Sequence, residues 1–525
     1  LRKSGLFRRV EPDFVVRIDA VPTDEAFVDG RLWGLRNTGQ DGGRPGVDIN
    51  VLPAWAITRG SSQVKVAIVD TGIRLSHADL APNLWRNPAE IPGNGVDDDH
   101  NGWVDDIHGI NTLSPGAPPE DDHGHGSHCA GIIGAFANRG GPMVGVAWEV
   151  GLMALKFISS EGYGYLSDAL RCFEYAVRNG AAVINASWGG YFQSEIFDAA
   201  IRRAGEAGAL VVAAAGNNAR DISQVRFSPA GSNATNVLAV AAINRMGELA
   251  WFSNYSPSVV HLAAPGQHIF STTAESDWAI ARWSGTSMAA PYVSGAAALL
   301  KARFPTASVR ELKQRLLMST TLLAALQGRT ISGGLLNVAA AMEAREDGNL
   351  EILCSPAQFP LPAGEVIPVF VTVSDLYPIG GASVQLRVGN AAWATLADSG
   401  VAPDVLAGDG VYSGMLQVPL VSGQVRVEVQ ASAAGKSPAR ADFVFPVMSR
   451  PPNDAFERRT PTGGGITRSY GTNRNATREL EEPIVLPGGG GKTVWWSWTS
   501  PASQMVTLST AGSNFDTTLA VFKGN

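Results

Sequence analysis

Between Val64 and about Ala344 short apolar runs alternate with segments of helical periodicity, and this alternation narrows the possible folds more than any other feature of the chain. A strand buried on both faces reads as an unbroken apolar run, and parallel strands need a crossover, usually a helix, to join them. The runs Val64–Asp70, Ala181–Trp188, Ala209–Ala215 and Val237–Val240 are the expected strands. Ser127–Ala137, Leu166–Asn179, Ser194–Ala207 and Met288–Arg303 are the expected helices, the last ended by Phe304-Pro305. The pattern predicts an α/β domain with a mainly parallel sheet and helices on both faces.

After residue 345 the texture changes to period-two segments such as Ile367–Val373, Ala382–Val388 and Gly423–Val429, which predict a small β-sandwich. A proline-rich joint, Pro446–Pro452, leads to a third β-type segment around Val494-Trp-Trp-Ser-Trp498, with few strands before Asn525. The chain of 525 residues is too long for one hydrophobic core, in keeping with several domains.

Composition excludes several classes. With 41 Lys and Arg against 48 Asp and Glu, the net charge is −7, so no basic patch invites nucleic acid or anionic lipid. No apolar run approaches the roughly 20 residues of a membrane span. The three cysteines, Cys129, Cys172 and Cys354, allow at most one bridge and exclude a disulfide framework. The 59 glycines and 31 prolines suit turn-rich β structure and an extracellular setting.

Three segments carry chemistry. Asp70 ends a buried strand ahead of Thr71-Gly72, at the sheet edge where open α/β folds place their sites, although an Asp there can equally cap a helix. Asp121–Gly131 holds His123, His125 and His128, three of only eight histidines. Ser287 opens the long apolar helix, where backbone N–H groups and the helix dipole favour a developing oxyanion, and where a serine is also an ordinary cap. The order Asp, His, Ser is one of the three chain orders known for serine hydrolase triads.

Over roughly residues 31–345 the chain resembles the subtilisin family. Val66–Gly72 resembles its aspartate motif, His125–Gly131 its histidine motif and Gly285–Pro291 its serine motif, with Ser127 where the family usually has Thr. The resemblance implies a subtilisin-like fold and a serine endopeptidase with Ser287 as nucleophile, His125 as general base and Asp70 as the carboxylate that orients it. Ala213-Ala-Ala-Gly-Asn217 is similar to the family's oxyanion segment, which implies that the Asn217 side chain and the Ser287 N–H donate to the oxyanion. It further implies that substrate lies as an added strand against Gly162–Leu166, which includes Gly164, and against Ser187-Trp188-Gly189. Ala214, Ala215 and Gly216 would wall the pocket for the residue before the cut, and Phe227 would narrow it. Cys129 is expected to be a buried free thiol, as in the proteinase K and thermitase branches.

Asp97, Asp99, Asn101 and Asp106 offer oxygens at the alternating spacing of calcium loops, and a solvated acidic turn is the plain alternative. The resemblance adds a second candidate calcium site through Asp79 and the loop around Asn138. Calcium is thus expected as a structural ion, with no catalytic metal. A rival reading takes His123, His125 and His128 as the zinc motif of a metallohydrolase, but Ser127 stands where that motif has Asp and no downstream cluster completes it. Another takes the whole chain as a catalytically silent adhesion module, which would have no use for Asp70, His125, Asn217 and Ser287 together.

Residues 1–20, with Val10–Val16, resemble the last strand of a subtilase propeptide, and Trp33–Gln40 resembles the start of a mature domain. Asp398–Tyr412 resembles a loop of Ig-like appendages of secreted bacterial enzymes, and Pro451–Phe456 with Val494–Thr499 resembles part of a bacterial pre-peptidase C-terminal domain. The expected domains are therefore 1–30, a propeptide remnant and linker; 31–345, catalytic; 346–450, Ig-like; and 451–525, a second β domain. A secreted bacterial monomer is expected, acting on polypeptides, with its own propeptide as partner and neither nucleic acid nor membrane span.

Overall fold

The computed structural model describes residues 21–449 except 224, 345–347, 358–359, 405–406 and 421–422, then 451–462, 493–499 and positions 469, 476, 508, 509, 519 and 521. The expected propeptide strand Val10–Val16 lies outside the described residues, as do most of 463–525.

The alternating region folds into a nine-stranded sheet. Its strands are β1 (Gly60–Asp70), β2 (Gly109–Asn111), β3 (Glu149–Lys156), β4 (Val183–Ala186), β5 (Leu210–Ala214), β6 (Val237–Ile243) and β7 (Leu262–Pro265), completed at one edge by β10 (Thr321–Leu322) and β11 (Gly334–Leu335). The spatial order is β10-β11-β7-β6-β5-β4-β1-β3-β2, parallel throughout except for the β10–β11 pair. A separate hairpin, β8 (Ile269–Thr272) and β9 (Ile280–Trp283), precedes the long helix. After β1 the chain lays β2 at one edge, inserts β3 between it and β1, and then crosses to the other side of β1 for β4 to β7, so the order reverses beside β1, and Asp70 ends that strand. Crevices at such reversals, outside the carboxyl ends of the strands, hold ligands in open α/β sheets.

All residues of β4, β5, β6 and β7 are buried, which explains why their sequence is apolar but for Asn185 in β4. Burying one Val or Ile fully contributes about 1.5–3 kcal/mol, so these strands anchor the domain. The strand β3 was not expected, because Gly151, Met153 and Ala154 dilute its β-branched character, yet seven of its eight residues are buried between β1 and β2. Leu166–Arg178 and Glu195–Glu206 are amphipathic helices that meet through Phe173 and Phe197, whose rings lie 5.2 Å apart edge to face. Thr286–Arg303 has no polar face; residue 286 and residues 288–300 are all buried, and Ser287 between them is partly exposed.

The period-two region forms two sheets around a second core. One contains Glu351–Pro356, Val366–Asp375, Tyr377–Pro378 and Val411–Gln417; the other contains Leu361–Pro362, Ser383–Val388, Ala394–Leu396, Gly423–Ser432 and Ala439–Met448. In Gly423–Ser432 the buried residues are Val425, Val427, Val429 and Ala431, the alternation of a sheet with one face inward. This unit touches the first through Arg310, which donates to the Pro378 carbonyl at 3.1 Å, and through Ser355, which donates to the Thr330 carbonyl at 3.2 Å. Beyond it, Thr460–Thr462 pairs with Trp496–Trp498. Cys129, Cys172 and Cys354 are all buried and free.

Candidate active site

Asp70, His125 and Ser287 come from three elements that converge at the end of β1. Asp70 is fully buried, and its Oδ1 accepts from His125 Nδ1 at 2.7 Å and from the Thr71 backbone N–H at 2.8 Å. The Asp70 bond assigns His125 the tautomer that leaves Nε2 free to accept a proton. His125 is the first residue of its helix, His125–Gly134, and that helix can approach β1 only because residue 126 is glycine. A Cβ there would lie 2.0 Å from the Gly72 carbonyl oxygen and 3.2 Å from Asp70 Cβ.

The helix start is held by Asp121, which sequence reading left without a role. Its Oδ1 accepts from Thr71 Oγ1 and from the N–H groups of His123 and Gly124, while Oδ2 accepts from the N–H and hydroxyl of Ser127, all at 2.6–3.0 Å. An Asp directly before a histidine-rich helix is a capping signal, and here the cap also fixes Thr71, which accepts from Gly126 N–H at 2.9 Å. Ser127 uses the hydroxyl it shares with Thr, for it also accepts from Arg74 N–H at 2.8 Å. Burial works against the His125 imidazolium, but the charge of Asp70, their hydrogen bond and the charge of Asp121 outweigh it, raising His125 above the ordinary histidine value.

Ser287 is shaped by the proline four residues on. Pro291 has no N–H to give to the Ser287 carbonyl, so that oxygen accepts instead from Ser187 Oγ at 2.9 Å and from Cys129 Sγ at 3.5 Å. Ser187 belongs to a buried relay in which Ser294 Oγ donates to Asn185 Oδ1 at 2.8 Å and Asn185 Nδ2 donates to Ser187 Oγ at 2.9 Å. Ser287 Oγ itself donates to the Ser187 carbonyl at 2.8 Å, and no hydrogen bond joins it to His125 among the described residues. Asn217 Oδ1 accepts from Thr286 N–H at 2.8 Å and from Thr286 Oγ1 at 2.9 Å, which commits the oxygen and leaves Nδ2 as donor at the helix start. Asn254 staples the same segment, giving Nδ2 to the Ala215 carbonyl and accepting from the N–H groups of Asn218 and Arg220.

The three clustered histidines do not converge as metal ligands. His123 is exposed, whereas His128 is buried, within hydrogen-bonding distance of the Ala281 carbonyl through Nε2 at 3.1 Å and stacked on Trp283 with ring centroids 4.9 Å apart. Burial pulls His128 down to about 3, so it stays neutral. Cys129 is fully buried, and burial pushes its thiol well up, which makes it a poor nucleophile.

Of the expected substrate contacts, Gly164 lies in an exposed, unpaired stretch, and Tyr165 beside it has extended angles of φ −93° and ψ 145°. Ser187, Trp188 and Gly189 continue past the end of β4 below Ser287; the Trp188 ring serves as a brace, donating Nε1 to the Val69 carbonyl at 2.8 Å. Ala214 and Ala215 are buried, and Gly216 precedes Asn217.

In the acidic loop the carboxylates that gather are Glu90, Asp99 and Asp106, with oxygens within 4.8 Å of one another, and Glu90 was not foreseen because it lies seven residues before Asp97. Asp97 turns instead to the N–H groups of Asn101 and Gly102, and Asn101 Oδ1 accepts from Trp103 N–H. Glu90 is buried with no partner for Oε2, and desolvation, with Asp106 and Asp99 adding to it, raises its carboxyl above the ordinary value. An all-oxygen set with an orphaned buried carboxylate oxygen fits a hard divalent cation. At the second place, Asp79 is pushed up to about 7 by burial, with Asp24 adding charge. Asn138 is turned to Thr23, from which its Oδ1 accepts two bonds at 2.8 Å.

A sequence model of the subtilase family matches residues 61–347, more than half of the chain. The chain is 36% identical over 261 residues to subtilisin-like protease 2 of Plasmodium falciparum, covering 48% of this chain and 18% of that protein. It is 33% identical over 300 residues to a thermophilic serine proteinase of Bacillus sp. strain AK1, covering 57% and 64%. The chain thus spans less than two thirds of the length of these relatives. Among solved structures, a cold adapted subtilisin-like serine proteinase matches 52% of this chain and 88% of its own, at 27% identity and a TM-score of 0.43. With the family match running through all three motif segments, this chain belongs to the subtilase family.

Proposed function

We propose that this chain is a secreted serine endopeptidase that cleaves polypeptides through an acyl-enzyme. The observation that carries the reading is the 2.7 Å bond from Asp70 to His125 Nδ1 beside Ser287, the partly exposed residue at the start of a buried helix. Ser287 Oγ rotates from the Ser187 carbonyl to His125 Nε2, gives up its proton there and attacks the scissile carbonyl carbon. Asn217 Nδ2 and the Ser287 N–H donate to the oxyanion, and His125 then protonates the leaving amine. Water, deprotonated by His125, cleaves the ester and restores Ser287. The relay through Ser187 keeps the carbonyl of Ser287 fixed while its side chain moves.

Calcium is proposed as a structural ion, held by Glu90, Asp99 and Asp106, and at a second place by Asp79 with Asp24. It would neutralise carboxylates and tie down loops and would take no part in the chemistry. Free calcium of the concentration found outside cells suits such modest sites.

A serine-directed sulfonyl fluoride is expected to stop casein hydrolysis and to add its mass to the peptide carrying Ser287. Hydrolysis that continues after complete labelling of Ser287 would overturn the reading. Hydrolysis abolished at once by a chelator and restored by zinc would favour the metallohydrolase instead.

A further inference from the structure

Phe227 stands between the segments 187–189 and 214–216, and the role drawn from that position deepens the endopeptidase reading on which it rests. Acylation at Ser287 places the substrate's acyl carbon beside Ser187, whose carbonyl accepts from Ser287 Oγ at 2.8 Å, and beside Asn217. On that reading the side chain of the acyl group enters between the segments 187–189 and 214–216, which adjoin these residues. Both present glycine, a pairing that would leave a slot wide enough for an aromatic ring.

The slot is already filled. A Cβ at Gly189 would lie 2.4 Å from Phe227 Cε1, and one at Gly216 would lie 2.8 Å from Phe227 Cζ, so both glycines face the Phe227 ring itself. Phe227 is only 7% exposed, and it is braced on several sides. Gly190 and Ser228 exchange backbone hydrogen bonds of 3.0 and 2.9 Å, and Ser228 Oγ donates to the Phe192 carbonyl at 2.9 Å. Tyr191 meets the ring edge to face at 5.1 Å and is tethered by its hydroxyl to Asn218 Oδ1 at 3.1 Å. A ring so held does not swing aside for a second ring, because inserting bulk into a close-packed site forces rotamer and backbone shifts.

We propose that Phe227 closes the primary specificity pocket, so that the enzyme cuts after alanine, glycine or serine and rejects aromatic residues. The test compares two peptide p-nitroanilides that differ only in Ala or Phe before the anilide. The parent is expected to favour Ala by about 100-fold or more in kcat/KM, since each misfit methylene in such a pocket is worth roughly 10–200-fold. Phe227→Gly is expected to raise the ratio of kcat/KM on the Phe substrate to that on the Ala substrate by about 100-fold, and Phe227→Leu should fall between. A parent that cleaves the Phe substrate as well as the Ala substrate overturns the proposal, as does a Phe227→Gly enzyme with the parent's ratio. Should that variant not fold, profiling the parent on a peptide library decides the matter without any substitution. A parent that is blocked by the sulfonyl fluoride yet cuts after aromatic residues loses the specificity proposal and keeps the endopeptidase. A parent that cuts no peptide loses both.

Discussion

The catalytic corner and the acidic loop both gather buried carboxylates, and they balance them differently. Around Asp70 and Asp121 the chain supplies its own donors: His125, backbone N–H groups, Thr71 and Ser127. Around Glu90, Asp99 and Asp106 the same number of bonds serves three carboxylates instead of two. Asn87 Nδ2 donates to Asp99 and Asp106, and Tyr175 donates to Asp106 at 2.6 Å. Asp70 Oδ2 and Glu90 Oε2 are each buried without a partner, but Asp70 shares its charge with His125, whereas among the described residues no cationic side chain pairs with the acidic trio. A buried charge needs pairing, and a site that provides it internally is preorganised, whereas one that does not relies on an ion from outside. On the proposed reading the first region is preorganised around its own ion pair and the second is completed by a cation.

Removing the groups that act at the first region should have the largest effects. Ser287→Ala is expected to lower kcat by about 10⁴–10⁶-fold with folding intact, read by casein or peptide hydrolysis beside a circular dichroism spectrum. A variant as active as the parent would end the assignment of Ser287. Asn217→Ala is expected to lower kcat by about 10²–10³-fold with little change in KM, because the bond proposed for it forms fully only with the oxyanion. Since Oδ1 also holds Thr286, part of any stability loss belongs to that role and is separated by urea unfolding. A fall in kcat/KM carried wholly by KM would move Asn217 from the oxyanion to substrate binding.

The acidic loop should instead answer through stability. Glu90→Gln removes one charge from the trio while keeping the side chain's shape. In the presence of a chelator the variant is expected to be more stable than the parent by about 1–2 kcal/mol, for it relieves a buried like-charge contact. With calcium added the order should reverse, because the variant has lost an anionic ligand. Thermal unfolding of both proteins in the two conditions measures this. If the order is the same in both, the loop balances its charge without a cation.

The sequence disclosed the actors more readily than their supports. The buried strands and the buried helix Thr286–Arg303 are visible as largely apolar runs; Asp70 ends β1, His125 opens a second buried helix and Ser287 lies at the start of the long one. Asp121, Thr286, Asn254 and Glu90 were hidden, because a capping carboxylate or a stapling amide uses the same residue types as any polar turn. Their roles arise from contacts between segments as distant as 217 and 286 or 90 and 106, which no local period records. Phe227 is intermediate: its place before Ser228-Pro229 suggested the pocket, but only the facing glycines show what the ring fills.

The smallest expected effect concerns protons, and it sets activity against stability within the same residue. With His125 as the proposed base, kcat/KM should follow its neutral fraction and fall as pH drops through its folded pKa. That pKa is raised above the ordinary value, so the acid limb should lie above pH 6.5. For stability the sign is opposite. A histidine whose folded pKa exceeds its unfolded one contributes stability that is fully present below the unfolded value and is lost as pH rises through the folded value. Between these two pH values the protein should therefore gain activity while giving up the stability that the imidazolium shares with Asp70 and Asp121. His128 should add no second limb, since burial holds it neutral down to about 3. A pH profile of kcat/KM beside urea unfolding at the same pH values tests the pairing, and an acid limb below 6.5 would mean that desolvation of His125 outweighs both carboxylates.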